Sequence, residues 1–180
     1  MVKQSGTTLL ELMITLSVAG ISLAIAVPAF TSLNNSSRLS GFANDLISSL
    51  HLTRSEAIKR NSRVVMCPSE TGTSCAPAGG WHRGWLVFHD PNNNAALDAG
   101  ETVILARPAL PVGLLAKSTD PTAKYISYAP SGGTKQIGGA WQAGTLTLCN
   151  ESGSVGPGRK VVISSTGRPR TEKTMLASCS

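Results

Sequence analysis

Near the end of this 180-residue chain, Gly167-Arg168-Pro169-Arg170 is spaced to grip a row of anions. In an extended segment residues two apart point the same way, so the guanidiniums of Arg168 and Arg170 can meet successive phosphates on one backbone. Pro169 has no backbone donor and restrains the segment between them, and Gly167 lets the chain turn into it. Arg159, Lys160 and Lys173 lie close in sequence against a single acid, Glu172. Such a patch binds by charge, with little readout of bases. A solvated basic terminus, or a contact with a neighbouring protein subunit, would use the same residues.

The other polar constellations are weaker. Asp90, Asn92, Asn94, Asp98 and Glu101 fall at positions 1, 3, 5, 9 and 12 of a loop spaced like an EF-hand. Its sixth position is Ala95, where the sharp turn of a calcium loop wants Gly, and a hairpin loop explains the same residues by turn chemistry. No metal and no cofactor is expected. His51, His82 and His89 are scattered, and neither GxSxG, HExxH nor a glycine-rich phosphate loop occurs, so the chain is not expected to be an enzyme. Trp81, Trp85 and Trp141 are expected to be packing anchors.

The elements that must position these residues begin with an apolar run. Between Thr7 and Phe30 Glu11 is the only charge, and the 24 residues would reach about 36 Å as a helix, enough to cross a hydrocarbon core of about 30 Å. A secretory signal has a shorter apolar centre and a small residue after it, whereas here Gly6 precedes the run. A carboxylate inside such a segment costs at least about 2.5 kcal/mol unless paired, so Glu11 either has a partner or reaches the interface. Pro28 removes a backbone donor and is expected to bend or loosen the helix near its outer end. Lys3, the one charged side chain before the run, places the N-terminus in the cytoplasm.

Beyond Phe30, Leu39, Phe42, Leu46, Leu50, Ala57 and Ile58 recur at helical spacing, which continues the helix to about Arg60 as an amphipathic spine of roughly 80 Å. The grammar then changes to short apolar runs between Gly, Pro, Asn and Ser. Strands are expected at 63–67, 84–89, 102–106, 112–116, 124–129, 145–149 and 160–164, which implies an antiparallel sheet or a two-sheet sandwich. The remaining length suffices for one compact domain and not two. The chain carries +6 overall, from 16 Lys and Arg against 10 Asp and Glu.

All four cysteines follow the apolar run and so fall on its far, oxidising side, where an even number reads as two disulfides. Three pairings are possible. A local staple between Cys67 and Cys75, which bracket a turn-forming stretch, is the economical choice, and Cys149 would then pair with Cys179. No CxxC spacing supports zinc.

The start of the chain resembles a type IV prepilin leader: Gly6, the TTLLE stretch with Glu11, and Pro28 carry the resemblance. It implies cleavage by prepilin peptidase between Gly6 and Thr7, methylation of the Thr7 amine, and pairing of Glu11 with the N-terminal amine of a neighbouring subunit. Most members begin the mature chain with Phe, where this one has Thr7. Arg54-Ser-Glu-Ala-Ile-Lys-Arg-Asn61, the Cys67 to Cys75 loop, Gly80-Trp-His-Arg-Gly-Trp-Leu-Val-Phe-His-Asp90 and Gly100-Glu101 are similar to the minor pilins and pseudopilins of the GspH/FimT family. The resemblance implies an α+β chain of type IV pilin fold, with a long N-terminal helix packed on an antiparallel β head. Its parts would be a leader at 1–6, a transmembrane segment at 7–30, an amphipathic segment at 31–61 and a β-rich head at 62–180. The implied location is the inner membrane, with the head periplasmic, and then a pilus or pseudopilus built with other pilins. In the FimT branch, which takes part in natural transformation, a GRxR motif binds DNA, and Gly167, Arg168 and Arg170 match it. The alternatives implied are a structural minor pilin that initiates or caps a pilus, and a pseudopilin of type II secretion.

Overall fold

A computed structural model describes residues 8–77, 80–151 and 155–179. Its elements are one long helix, α1 (Leu9–Arg60), and eight strands: β1 (Val64–Pro68), β2 (Trp85–His89), β3 (Val103–Arg107), β4 (Leu114–Ser118), β5 (Ile126–Tyr128), β6 (Gly144–Asn150), β7 (Gly156–Ile163) and β8 (Pro169–Leu176). The residues fall into two units, one ending at Ser37 and the other running from Arg38 to the C-terminus.

In the first unit the helix is long and apolar enough to cross a membrane. Its start is set by Thr8, whose hydroxyl accepts from the Glu11 backbone N–H at 3.3 Å, three residues on. That Thr-x-x-Glu spacing is a helix-capping arrangement, so Glu11 also belongs to the first-turn chemistry of the helix. The Ser and Thr hydroxyls further along turn back onto the helix itself: Thr15 donates to the Leu12 carbonyl and Ser17 to that of Met13, each at 2.8 Å. In hydrocarbon this leaves no hydroxyl seeking water. The helix continues through Pro28. Gly6 and Thr7 lie outside the described residues.

In the second unit α1 buries Leu39, Phe42, Leu46, Leu50 and Ala57 along one face, with Ser49 and Thr53 between them. Ile58, expected on this stripe, sits one position off it and is 51% exposed. Two four-stranded antiparallel sheets, ordered β3-β2-β1-β5 and β4-β6-β7-β8, share the core with this face. Val64, Met66, Trp85 and Val87 come from the first sheet, and Leu146, Leu148, Val161 and Ile163 from the second. Alternate residues of β1 and β2, Val65, Cys67, Leu86 and Phe88, form a second cluster beneath the loops. Strand β1 is therefore buried on both faces, which is why it reads as a continuous apolar run.

Trp81 and Trp85 are the anchors expected of them. The Trp85 indole donates to the Ser49 hydroxyl at 3.0 Å and stacks at a tilt on Phe42, 5.7 Å between ring centres, while Trp81 donates to the Thr122 carbonyl at 3.1 Å. Each buried N–H is thereby satisfied. Gly84 between them is obligatory: a Cβ there would stand 2.6 Å from the Arg107 carbonyl oxygen. The disulfides are Cys67–Cys75 and Cys149–Cys179, with Cα atoms 5.6 and 5.9 Å apart. The second closes residues 150–178 into one loop that contains the whole β7–β8 hairpin.

Seven expected strands are present within a few residues of their expected ends. The eighth, β8, is the segment expected to be a basic tail, and it pairs along its whole length with β7, from Gly156 opposite Leu176 to Ile163 opposite Pro169. It was hidden because it is polar, begins with Pro and lies at a sheet edge, where both features are tolerated.

Candidate nucleic-acid interface

The Gly-Arg-Pro-Arg motif is the turn and first residues of the β7–β8 hairpin. The turn closes through Gly167 N–H to the Ser164 carbonyl at 2.9 Å and Ser164 N–H to the Arg168 carbonyl at 3.3 Å. Gly167 takes φ +76°, and a Cβ on it would lie 2.2 Å from the Gly132 carbonyl oxygen and 2.9 Å from the Tyr128 ring. Only glycine fits such a conformation and approach. The Gly167 carbonyl in turn accepts from the Arg54 guanidinium at 3.1 Å, a bond from α1 across 113 residues of sequence. The turn is thus held on one side by the helix and on the other by the loop at Gly132. Beneath it Tyr128 is buried, which pushes its phenol well above the ordinary value of 10; the nearby positive charge of Arg54 opposes that shift only in part.

From this fixed turn the basic residues diverge. Arg168 is exposed, and its guanidinium has no partner among the described residues. Arg170 follows two positions on and pairs with Glu172 at 2.9 Å, both side chains being largely exposed. A surface pair of this kind contributes about 0–1 kcal/mol, so a phosphate can compete for the arginine. Lys160 stands opposite Glu172, and Val162 opposite Arg170, which puts Lys160 and Arg170 on the same sheet face. Lys117 on β4 extends that row through Thr147, a residue the sequence offered no reason to include.

Two of the expected contacts do not belong to this face. Arg159 alternates with Val161 and Ile163, so it points toward the core and is only 8% exposed. Its guanidinium donates to the Ser40 hydroxyl on α1 at 3.0 Å and to the Gly158 carbonyl at 3.1 Å. It is a packing residue of the helix–sheet contact. Lys173 registers with Arg159 and shares its face, bordering a cleft of about 260 Å³ lined also by Ser40, Asn44 and Thr171.

Trp141, expected to be buried, is 63% exposed. It is brought to the hairpin turn by Thr134, whose hydroxyl donates to the Gln142 carbonyl at 2.6 Å and lies 3.0 Å from the Ser164 carbonyl. A Cβ on Gly133 would meet the Trp141 ring at 3.3 Å and the Ser165 carbonyl at 3.4 Å, so ring and turn meet at one point. The Lys135 ammonium lies 5.1 Å from the centre of that ring, a cation–π contact. Arg63 fixes the Lys135 backbone by donating to its carbonyl at 3.0 Å.

The loop from Asp90 to Glu101 is organised by its own hydrogen bonds. The fully buried Asp90 accepts from the backbone N–H groups of Asn94 and Ala95 at 3.1 and 3.0 Å. Asp98 accepts from the side-chain amides of Asn92 and Asn94 at 2.7 and 2.6 Å, and those bonds hold its carboxyl below the ordinary value. Donors, rather than a shell of oxygens, therefore face Asp98. Among the described residues no group of three or more His, Cys, Asp or Glu side chains is placed to hold a metal ion. His51 lies exposed on α1, while His82 and His89 are half-buried in the head.

The family described as "Type II transport protein GspH" matches residues 43–167, from within the buried face of α1 through β7 to Gly167, and ends before Arg168 and β8. The chain belongs to the GspH family. This GspH-family chain is also similar to the pilin-like protein PilA1 of Thermus thermophilus, at 32% identity over 174 residues, 93% of this chain and 97% of that one. Among solved structures it is similar to the type IV minor pilin FimU of Pseudomonas aeruginosa, with a TM-score of 0.59 at 18% identity over 82% of this chain and 99% of FimU. A second crystal form of FimU gives a TM-score of 0.55, again at 18% identity, over 79% and 100% of the two chains. The long N-terminal helix with its antiparallel sheets is the type IV pilin fold. Membership in this family of pilins and pseudopilins, structural rather than catalytic proteins, implies assembly with other pilins.

Proposed function

We propose that this GspH-family chain is a minor pilin that presents the β7–β8 hairpin to duplex DNA for uptake in natural transformation. Arg168 and Arg170 meet phosphates, with Lys160 on the same sheet face as Arg170. The observation that carries this is the turn itself: Gly167 is locked against Gly132 and tied to Arg54, so the Arg168 guanidinium is held out to solvent with no partner among the described residues. The backbone of the turn is already ordered, so binding has only the side chains left to immobilise. The patch reads shape and charge, not sequence.

The rest of the chain serves assembly. Prepilin peptidase cuts between Gly6 and Thr7 in the cytoplasm, and the new Thr7 amine is methylated. Residues 7–30 cross the inner membrane with the head in the periplasm. Glu11 pairs with the N-terminal amine of a neighbouring pilin, which satisfies a carboxylate that hydrocarbon would otherwise penalise. Pro28 eases the packing of the helix among others in the filament. A pseudopilin of type II secretion, the role named in the family description, is the alternative; it would share the anchor and bind no DNA. Gel shifts of duplex DNA with the purified chain and its Arg168→Gln, Arg170→Gln double variant separate the two. Loss of binding in the variant is expected, and equal binding by both proteins overturns the proposal.

A further inference from the structure

Stacked beside the hairpin turn is a surface that phosphate binding alone does not explain. Trp141 exposes 63% of its area, leaving an aromatic surface open to solvent next to the basic turn. Trp141 is held in this position by a defined set of contacts: Thr134 bridges the Trp141–Gln142 segment to the end of β7, and two glycines, Gly132 and Gly133, keep the space between turn, helix and ring free of side chains. Three cations lie at the ring or at the adjoining turn. Lys135 lies over the ring, Arg54 reaches the Gly167 carbonyl from α1, and Arg168 follows immediately in sequence. Arg54 makes no ion pair with an acid among the described residues and uses one of its five N–H groups on that carbonyl. The chemistry is that of a stacking platform with one cation over it and a basic turn beside it, which fits a base with its phosphate and fits neither a neutral apolar peptide nor a bare anion.

We propose that Trp141, with Lys135 over its ring and Arg54 and Arg168 at the adjoining turn, stacks an unpaired base of a DNA strand. The site rests on the same hairpin as the duplex contact proposed above and deepens it. Duplex DNA is engaged through Arg168, Arg170 and Lys160 by charge, while a frayed end or a single strand additionally places one base on the indole. Because every base has a π-face, the site is indifferent to sequence. Lys135 contributes a phosphate partner at the ring, and Arg54 joins the turn to the platform.

The test uses the full-length chain in detergent micelles and fluorescence anisotropy with three labelled probes of equal length: oligothymidine, an abasic deoxyribose-phosphate strand, and a duplex. Trp141→Ala should weaken oligothymidine binding about 5- to 100-fold, the range expected for one stacked base, and leave the abasic and duplex probes within about twofold. Trp141→Phe, which keeps a ring, should recover most of the loss. Oligothymidine should also quench the wild-type indole emission and leave that of Trp141→Phe unchanged, since Trp81 and Trp85 are buried. Unchanged oligothymidine affinity in Trp141→Ala, or an equal loss on the abasic strand, overturns the stacking site. Retention of duplex binding in Arg168→Gln, Arg170→Gln overturns the phosphate contact instead, so the two failures are told apart.

Discussion

Replacing Gly167 with Ala should damage the fold, whereas replacing the adjacent Arg168 should damage binding. A Cβ at Gly167 would fall 2.2 Å from the Gly132 carbonyl oxygen, a backbone atom that cannot rotate away. The left-handed conformation at φ +76° adds about 1–2 kcal/mol for any residue with a Cβ. Moving the turn also weakens the Arg54 bond to the Gly167 carbonyl, and bonds to charged groups contribute about 1.5–3 kcal/mol. Together the loss is about 3–4 kcal/mol. For a chain of this size that is a fall in Tm of about 10 °C at roughly 3 °C per kcal/mol. Arg168→Gln, at an exposed site with no internal partner, should stay within about 0.5 kcal/mol of wild type. Melts of both variants followed by circular dichroism in the same detergent provide the comparison. A Gly167→Ala protein melting within 2 °C of wild type would refute the view that this glycine is required by packing.

Two further outcomes follow from the same frame. Replacing Cys149 and Cys179 by Ser opens a loop of about thirty residues and should cost about 3–4 kcal/mol of stability in the chain-entropy account, with protease nicking in 169–179 appearing first; a protein as resistant as wild type would contradict the role of that disulfide. Glu11→Gln should leave the protein in the inner membrane but reduce its share of sheared pili at least tenfold in an immunoblot, and normal incorporation would contradict pairing with a neighbour's amine.

What could be read from the sequence depended on how local the signal was. Leu39, Phe42, Leu46 and Leu50 announced the buried helix face because helical spacing is visible within a dozen residues. Seven strands were announced by short apolar runs between turn residues. Strand β8 was silent, because an exposed edge strand with Pro first has no apolar alternation to show. Arg159 looked like part of a basic patch since charge is read from residue type, while its inward direction is set by the register of β7. The Arg54 contact to Gly167 and the exposure of Trp141 are products of tertiary packing and left no local trace. The GRxR motif was legible as chemistry, yet its glycine proved to be a steric requirement of the turn.

The most direct measurement of the central claim is the salt dependence of duplex binding by the wild-type chain and by Arg168→Gln, Arg170→Gln. With Lys160, Arg168 and Arg170 each neutralising one phosphate, log affinity should fall against log salt with a slope of about −2.7, a loss of about 40-fold between 50 and 200 mM. The double variant should bind more weakly at 50 mM and show a slope of about −0.9, a loss of about 3.5-fold over the same range. Equal affinities and equal slopes for the two proteins would contradict the assignment of DNA binding to this hairpin.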